Sequence, residues 1–210
     1  MSMPRRANQS RQDAHYHVYN RGVNHGLIFL EDDNYRFFLC RLKQYAAEAS
    51  AEIVAYCLMP THYHLLVRPR GGELSSLMHR LGMSYANALN KRLHRVGPLF
   101  QGRFQAKLVA RDAYLLHLSR YIHLNPVAAG LAARAHDWPH SSYIEFIDPK
   151  ARTLVNPNII LDQLAPSEAT PSELGEAYRR FVEEAREDVA LLGSALFQEC
   201  SSGALEAAEL

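Results

Sequence analysis

The chain has 210 residues, 48% of them apolar and 21% charged, an ordinary balance for a protein that folds around a buried core. No apolar run reaches the roughly 20 residues of a membrane span, and the polar start MSMPRRANQSRQ lacks the apolar stretch of a signal peptide, so the expectation is a cytoplasmic protein that does not enter membranes. The three cysteines form no CxxC, which sets aside a disulfide framework, and the net charge of +1 conceals an asymmetry: residues 1–150 carry 19 Lys and Arg against 11 Asp and Glu, residues 151–210 carry 4 against 11. A basic body of this kind suits a polyanionic partner, and the acidic tail either competes with that partner or is a solvated helix.

Residues 1–13 are polar and basic and are expected to be a mobile lead-in to a domain over 14–150. Tyr16, Val18 and their neighbours alternate as a strand should, and NRGVNHG then supplies turn residues. From Asp33 to about Ala49, Phe37, Phe38, Leu42, Tyr45 and Ala49 recur at helical spacing. Glu52–Met59 and His62–Val67 read as strands joined through Pro60-Thr61, a hairpin. After PRGG, a long helix carries Leu74, Leu77, Met78, Leu81, Tyr85, Ala88, Leu89 and Leu93 on one stripe and ends in a cluster of Lys91, Arg92, His94 and Arg95. GPLFQGRF breaks that pattern, Phe104–Val109 resumes as a strand, and Asp112 can cap a helix running to about Asn125, where Pro126 is expected to stop it. The order β-α-β-β-α-β with one further helix predicts an α+β, ferredoxin-like antiparallel sheet with helices on one face. VNPNII reads as a linker into an acidic helical extension over 151–210. There Thr170-Pro171-Ser172-Glu173 forms a capping box, and Tyr178, Phe181, Val182, Ala185, Val189 and Leu192 make the buried side.

Two segments carry chemistry-bearing residues at informative spacing. HYH occurs twice, at His15-Tyr16-His17 and at His62-Tyr63-His64. Residues i and i+2 of a strand share a face, so either triplet can present two imidazoles to one metal; spacing alone does not choose between them. The helix ending at proline holds Tyr121 and Asn125, which lie one turn apart on one face and can bring a phenol and an amide oxygen to one place. Taken alone, these two also read as a buried tyrosine and a residue near a helix end.

The ordered series YHVYNRGVNHGLIF, YCLMPTHYHLLVRP, GPLFQGRFQAKLVARDAYLL, SRYIHLNPVAAGL and DWPHSSY resembles the REP-associated tyrosine transposases, within the single-tyrosine HUH transposases and nucleases. The resemblance runs over roughly residues 14–146. It implies that the family's His-hydrophobe-His motif falls on His62 and His64, its nucleophile on Tyr121 and its third metal-binding polar residue on Asn125, leaving the first HYH outside the pattern. Members act on single-stranded DNA beside hairpins of repetitive extragenic palindromes and leave a 5′-phosphotyrosine and a free 3′-hydroxyl. Two positions depart from the family pattern: Tyr63 stands where an aliphatic residue is usual, and Ala128 stands where NPVRAG has an arginine.

On this resemblance the chain is expected to be a metal-dependent single-strand endonuclease and strand transferase, active as a monomer or homodimer near the nucleoid. Its alternatives are a hairpin-binding relative that has lost cleavage, or an unrelated phosphoesterase using both HYH pairs. Two imidazoles and an amide oxygen suit Mn²⁺, and Mg²⁺ with lower affinity, better than Zn²⁺. His117, one turn before Tyr121, is either a proton acceptor or a packing residue. Candidate DNA contacts are Arg68, Arg70, Lys91, Arg92, Arg95, Arg103 and Lys107, with Phe100, Phe104 and Tyr114 as possible stacking rings.

Overall fold

The computed structural model describes residues 13–109, 112–164 and 168–185. Four strands form one antiparallel sheet: β1 (His15–Arg21), β2 (Ala51–Met59), β3 (His62–Pro69) and β4 (Gln105–Val109), in the order β2-β3-β1-β4. Helix α1 (Asp32–Glu48) crosses from β1 to β2, and α2 (Leu74–Arg92) from β3 to β4. This is the ferredoxin-like arrangement that the alternation of elements predicts.

Strand period decides which side chains face which layer. In β3, Tyr63 turns toward the helical layer, where its ring lies 5.1 Å from that of Phe38 on α1. His62 and His64 turn the other way. The buried stripe of α1 is Tyr35, Phe38, Leu42 and Ala46, so the helix is rotated from the expected stripe, and Phe37, Tyr45 and Ala49 are half-buried at its edges. On α2 the expected stripe is buried from Leu74 to Leu89, apart from Ala88, which is exposed. Among the described residues, no helix is long and apolar enough to cross a membrane.

Helix α3 (Asp112–Ala128) covers the opposite face of the sheet, the one bearing the histidines. The helix does not stop at Pro126. It carries the proline inside its last turn and ends at Gly130, whose φ of +67° is the left-handed conformation that closes helices. The N–H of Leu131 bonds to the Pro126 carbonyl at 2.9 Å and that of Gly130 to Val127 at 3.0 Å. The proline sits within the last turn, where this closing motif satisfies the carbonyls, and the chain therefore tolerates it there. The cap expected of Asp112 concerns a side chain outside the described set.

The chain after α3 packs behind that helix. Short helices α4 (Tyr143–Ile147) and α5 (Asn158–Leu161) lead to α6 (Pro171–Glu184), opened by the capping box at Thr170 and Glu173. The segment expected to be a linker is instead built into the core: Ile160 and Leu161 are fully buried, and the N–H groups of Thr153, Leu154 and Val155 all bond to the buried Glu145 carboxylate at 2.6–3.2 Å. Tyr178 and Val182 of α6 are buried as expected, whereas Val189 and Leu192 lie outside the described residues.

A polar network joins these parts. The His123 ring on α3 meets the Tyr178 hydroxyl at 2.7 Å through Nδ1 and the Ser142 hydroxyl at 2.8 Å through Nε2. Ser142 in turn accepts the backbone N–H of Tyr56 on β2 at 2.8 Å. The back of α3 is thus tied to β2, to the start of α4 and to α6, which sets the rotation of its other face.

Candidate active site

The site is assembled on the free side of β1 and β3. The two strands pair with Tyr19 opposite His64 and Arg21 opposite His62, so these four side chains share a face. The His62 and His64 rings stand 5.1 Å apart and nearly perpendicular. Burial pushes the His64 imidazole well below the ordinary histidine range, with His17 and His62 adding to the effect. Burial, then Arg21 and His25, lower His62 in the same direction. Both rings are therefore neutral near pH 7, the form in which imidazole ligates a metal.

Across from them stands α3. The Tyr121 ring lies 5.7 Å from the His64 ring and 6.4 Å from that of His17, edge-on to both. Asn125, one turn later, donates its amide to the Tyr121 carbonyl at 2.8 Å. Burial raises the Tyr121 phenol above its usual range, and a side-chain hydrogen bond with Asn125 works against that rise. Two imidazoles from the sheet, a phenol and an amide from one helix line a single open cleft of about 700 Å³.

Two turns complete its walls, and of their residues that line the cleft only Arg103 was expected from sequence to take part. NRGVNHG folds tightly back on the start of β3: the Gly22 N–H bonds to the Thr61 carbonyl at 2.8 Å, and a Cβ at Gly22 would lie 2.1 Å from the Gly26 carbonyl oxygen. This close approach brings Asn20, Arg21 and His25 to the cleft. The GPLFQGRF turn is held against the end of β1 by the Gln101 N–H on the Arg21 carbonyl at 2.9 Å, by Asn20 on the Gly102 carbonyl at 3.1 Å and by an Arg21–Gln101 side-chain bond, which places Gln101 and Arg103 on the rim. The sequence signal for these residues was present but local: turn residues flanking two strands that the topology makes neighbours.

Of the expected DNA contacts, Arg103 lines the cleft. Lys107 shares the sheet face, opposite His17 on β4. Lys91, Arg92 and Arg95 are exposed at the end of α2, where Arg92 pairs with Glu31. Arg68 sits at the other end of β3, six residues from His62 or about 20 Å at strand rise, and Arg70 follows just past the strand. They form an ion-pair group with Asp13 and Glu52 at 3.0–3.9 Å, so the structure does not bring them to the histidines. His117 turns toward α6, its Nδ1 3.1 Å from the Arg120 guanidinium and its ring 5.8 Å from Phe181. Phe100 packs among Tyr63 and Tyr85. Phe104 and Tyr114 are half-buried against the core. Tyr63 is buried in the opposite layer, so its hydroxyl does not compete with Tyr121. Ala128 is exposed at the end of α3.

The donor set fits a hard divalent cation. The His62 Nδ1 is engaged by the Thr61 hydroxyl at 3.0 Å and the His64 Nδ1 by His17 Nε2 at 2.9 Å, which leaves Nε2 of each ring as the ligating atom. The Asn125 amide nitrogen is committed to the helix, which leaves Oδ1. Among the described residues no three His, Cys, Asp or Glu side chains gather to hold a metal, so no thiolate or carboxylate set of the kind zinc prefers competes with this one.

The same segments that build the cleft carry the likeness to known proteins. Over 117 residues, half of this chain and 66% of the other, it is 29% identical to a Haemophilus influenzae protein assigned to the REP-associated tyrosine transposases; the match thus spans just under two thirds of that relative's length. A solved REP-associated tyrosine transposase bound to a REP hairpin shares the fold, with a TM-score of 0.59 at 20% identity over 73% of this chain and 89% of that one. Residues 10–125, from the lead-in to β1 through Asn125, match the family described as transposase IS200 like, and on that match over more than half its length the chain belongs to the IS200-like transposases.

Proposed function

We propose that the chain is a metal-dependent single-strand DNA endonuclease and strand transferase that acts at palindromic hairpin elements through a 5′-phosphotyrosine. The observation that carries this reading is the convergence of His62, His64, Tyr121 and Asn125 on one cleft, with the phenol ring 5.7 Å from the nearer motif imidazole. Family membership and the hairpin-bound fold relative support the same substrate class. On this reading it acts as a monomer or homodimer, in the compartment that holds the chromosome.

A phosphodiester is anionic and resists nucleophiles, so a site must offset its charge and hold the attacking atom in line. His62, His64 and Asn125 would hold Mn²⁺ or Mg²⁺, which would supply positive charge to offset that of the phosphate. The Tyr121 oxygen attacks phosphorus, the bond to the 3′ oxygen breaks, and that oxygen leaves as a 3′-hydroxyl after taking up a proton. The phenolic proton is released as the new P–O bond forms. Arg103 and Gln101 on the rim can hold flanking phosphates. Because the phosphotyrosine is itself a phosphodiester, a 3′-hydroxyl can reverse the step, and cutting becomes joining.

The test is a hairpin with a single-stranded flank, incubated with the full chain and Mn²⁺ or Mg²⁺ and resolved under denaturing conditions. A protein–DNA adduct is expected that is absent in Tyr121→Phe. No adduct from the wild type, with hairpin binding intact, would favour the non-cleaving relative instead.

A further inference from the structure

The first HYH triplet lies outside the family motif, yet one of its members is in contact with the site. His17 stands opposite Leu66 on β3, diagonal to His64 and on the same face of the sheet. It is 3% exposed, its ring stacks on that of His64 with centroids 5.1 Å apart, and its Nε2 lies 2.9 Å from the His64 Nδ1. We infer that His17 is a positioning residue, whose Nε2 accepts the Nδ1–H of His64 and thereby holds that ring with its Nε2 lone pair toward the cleft. The inference rests on the proposed metal role of His64.

The reason lies in what two neutral imidazoles can do. Each carries one N–H and one lone pair, so a nitrogen–nitrogen contact of this length holds a single shared proton. Its direction has consequences. If His64 donates, its Nε2 is a free base able to ligate; if His17 donates, His64 carries its proton on Nε2 and is closed to a metal. A ring anchored at Nδ1 also cannot swing about its Cβ–Cγ bond, so the ligating atom is aimed before any cation arrives. His62 is held in the same manner at its own Nδ1, there by the Thr61 hydroxyl at 3.0 Å, and both histidines line the cleft. An imidazole suits this buried position. It accepts a hydrogen bond without the charge that a carboxylate would bring into a site 3% exposed.

The experiment uses the full chain without DNA. Ring-nitrogen NMR of ¹⁵N-histidine-labelled wild type should find the His64 proton on Nδ1, and a proton on Nε2 overturns the inference with no substitution made. Mn²⁺ affinity is then measured by calorimetry for wild type, His17→Phe and His17→Gln, after a thermal scan confirms that each is folded. His17→Phe keeps the stacked ring but cannot accept the bond, and should weaken Mn²⁺ roughly 10–100-fold, the usual effect of losing the outer partner of a metal histidine. His17→Gln offers an amide oxygen at similar reach and should recover most of that loss. Equal affinity in His17→Phe and wild type overturns the inference and makes His17 a packing residue. If the wild type binds no Mn²⁺, the metal reading of the site fails separately. The His64 proton position in wild type against His17→Phe then decides on its own: Nδ1 in the first and a mixture in the second upholds the pair, no difference overturns it. Should His17→Phe not fold, His17→Gln with the wild-type spectrum carries the test.

Discussion

The same triplet sits on two neighbouring antiparallel strands and does different work on each. At 62–64 the outer histidines face a cleft with Tyr121 and Asn125 across it, and the central tyrosine is buried under α1. At 15–17 the triplet is displaced along the sheet, because Tyr19 and not His17 stands opposite His64. His17 therefore lies beside the site, bonded to the His64 ring and edge-on to Tyr121, while His15 stands opposite Val109 near the far end of β4. Identical residues at identical spacing acquire different roles from register. What distinguishes the pair at the cleft from its copy is the element that faces it.

The comparison breaks most sharply at that facing element. Tyr121→Phe should abolish the covalent adduct, by more than about 1,000-fold, because it removes the attacking oxygen. Hairpin affinity by gel shift should stay within about threefold, since phosphate contacts dominate binding. Next in size is the contrast between the triplets themselves. His62→Ala or His64→Ala should lower Mn²⁺ affinity by at least about 100-fold, beyond what the outer partners of metal ligands contribute, while His15→Ala should change it by less than about twofold. Similar losses from His15→Ala and His62→Ala in calorimetry would erase the distinction and revive a site built from both pairs.

Smaller effects separate the two faces of α3 and the two ends of β3. Tyr178→Phe removes the hydroxyl that joins His123 and Ser119 behind the catalytic face. It should cost about 1–2 kcal/mol of stability in urea unfolding, with adduct formation retained where the protein is folded. Arg103→Ala, at the cleft rim, should reduce the slope of log affinity against log salt by about one. Arg70→Ala should leave that slope nearly unchanged and cost less than ~1 kcal/mol, because its exposed guanidinium is engaged with Glu52 and Asp13. A salt slope that falls as much for Arg70 as for Arg103 would move the DNA path to the other end of the sheet.

Much of this was legible in the order of residues. Local periodicity located the four strands and the helices α1 to α3, apart from the end of α3, which runs three residues past Asn125, because alternation and 3.6-residue spacing are properties of short windows. It could not rotate α1 correctly, since Phe37 and Phe38 are equally apolar and only packing against Tyr63 and Phe29 selects the second. Pro126 misled because the cost of a helical proline depends on where its turn lies, and here the turn is the last. VNPNII looked like a linker because Asn-Pro-Asn is loop chemistry; the backbone bonds of the preceding residues to Glu145 come from a residue several positions earlier and leave no trace in composition.

The sequence by itself determined the family, the ferredoxin-like order of elements, and the residue types that a phosphoryl-transfer site needs, because each is written in short spacings and in one long ordered motif series. Tertiary structure alone decided that α3 covers the histidine face, that α6 braces it from behind, that Arg68 and Arg70 are engaged in ion pairs at the other end of the strand, and that His17 touches the site. Those are outcomes of strand register and of which helix packs on which face. Both are set by contacts between residues tens of positions apart, and no local pattern encodes them.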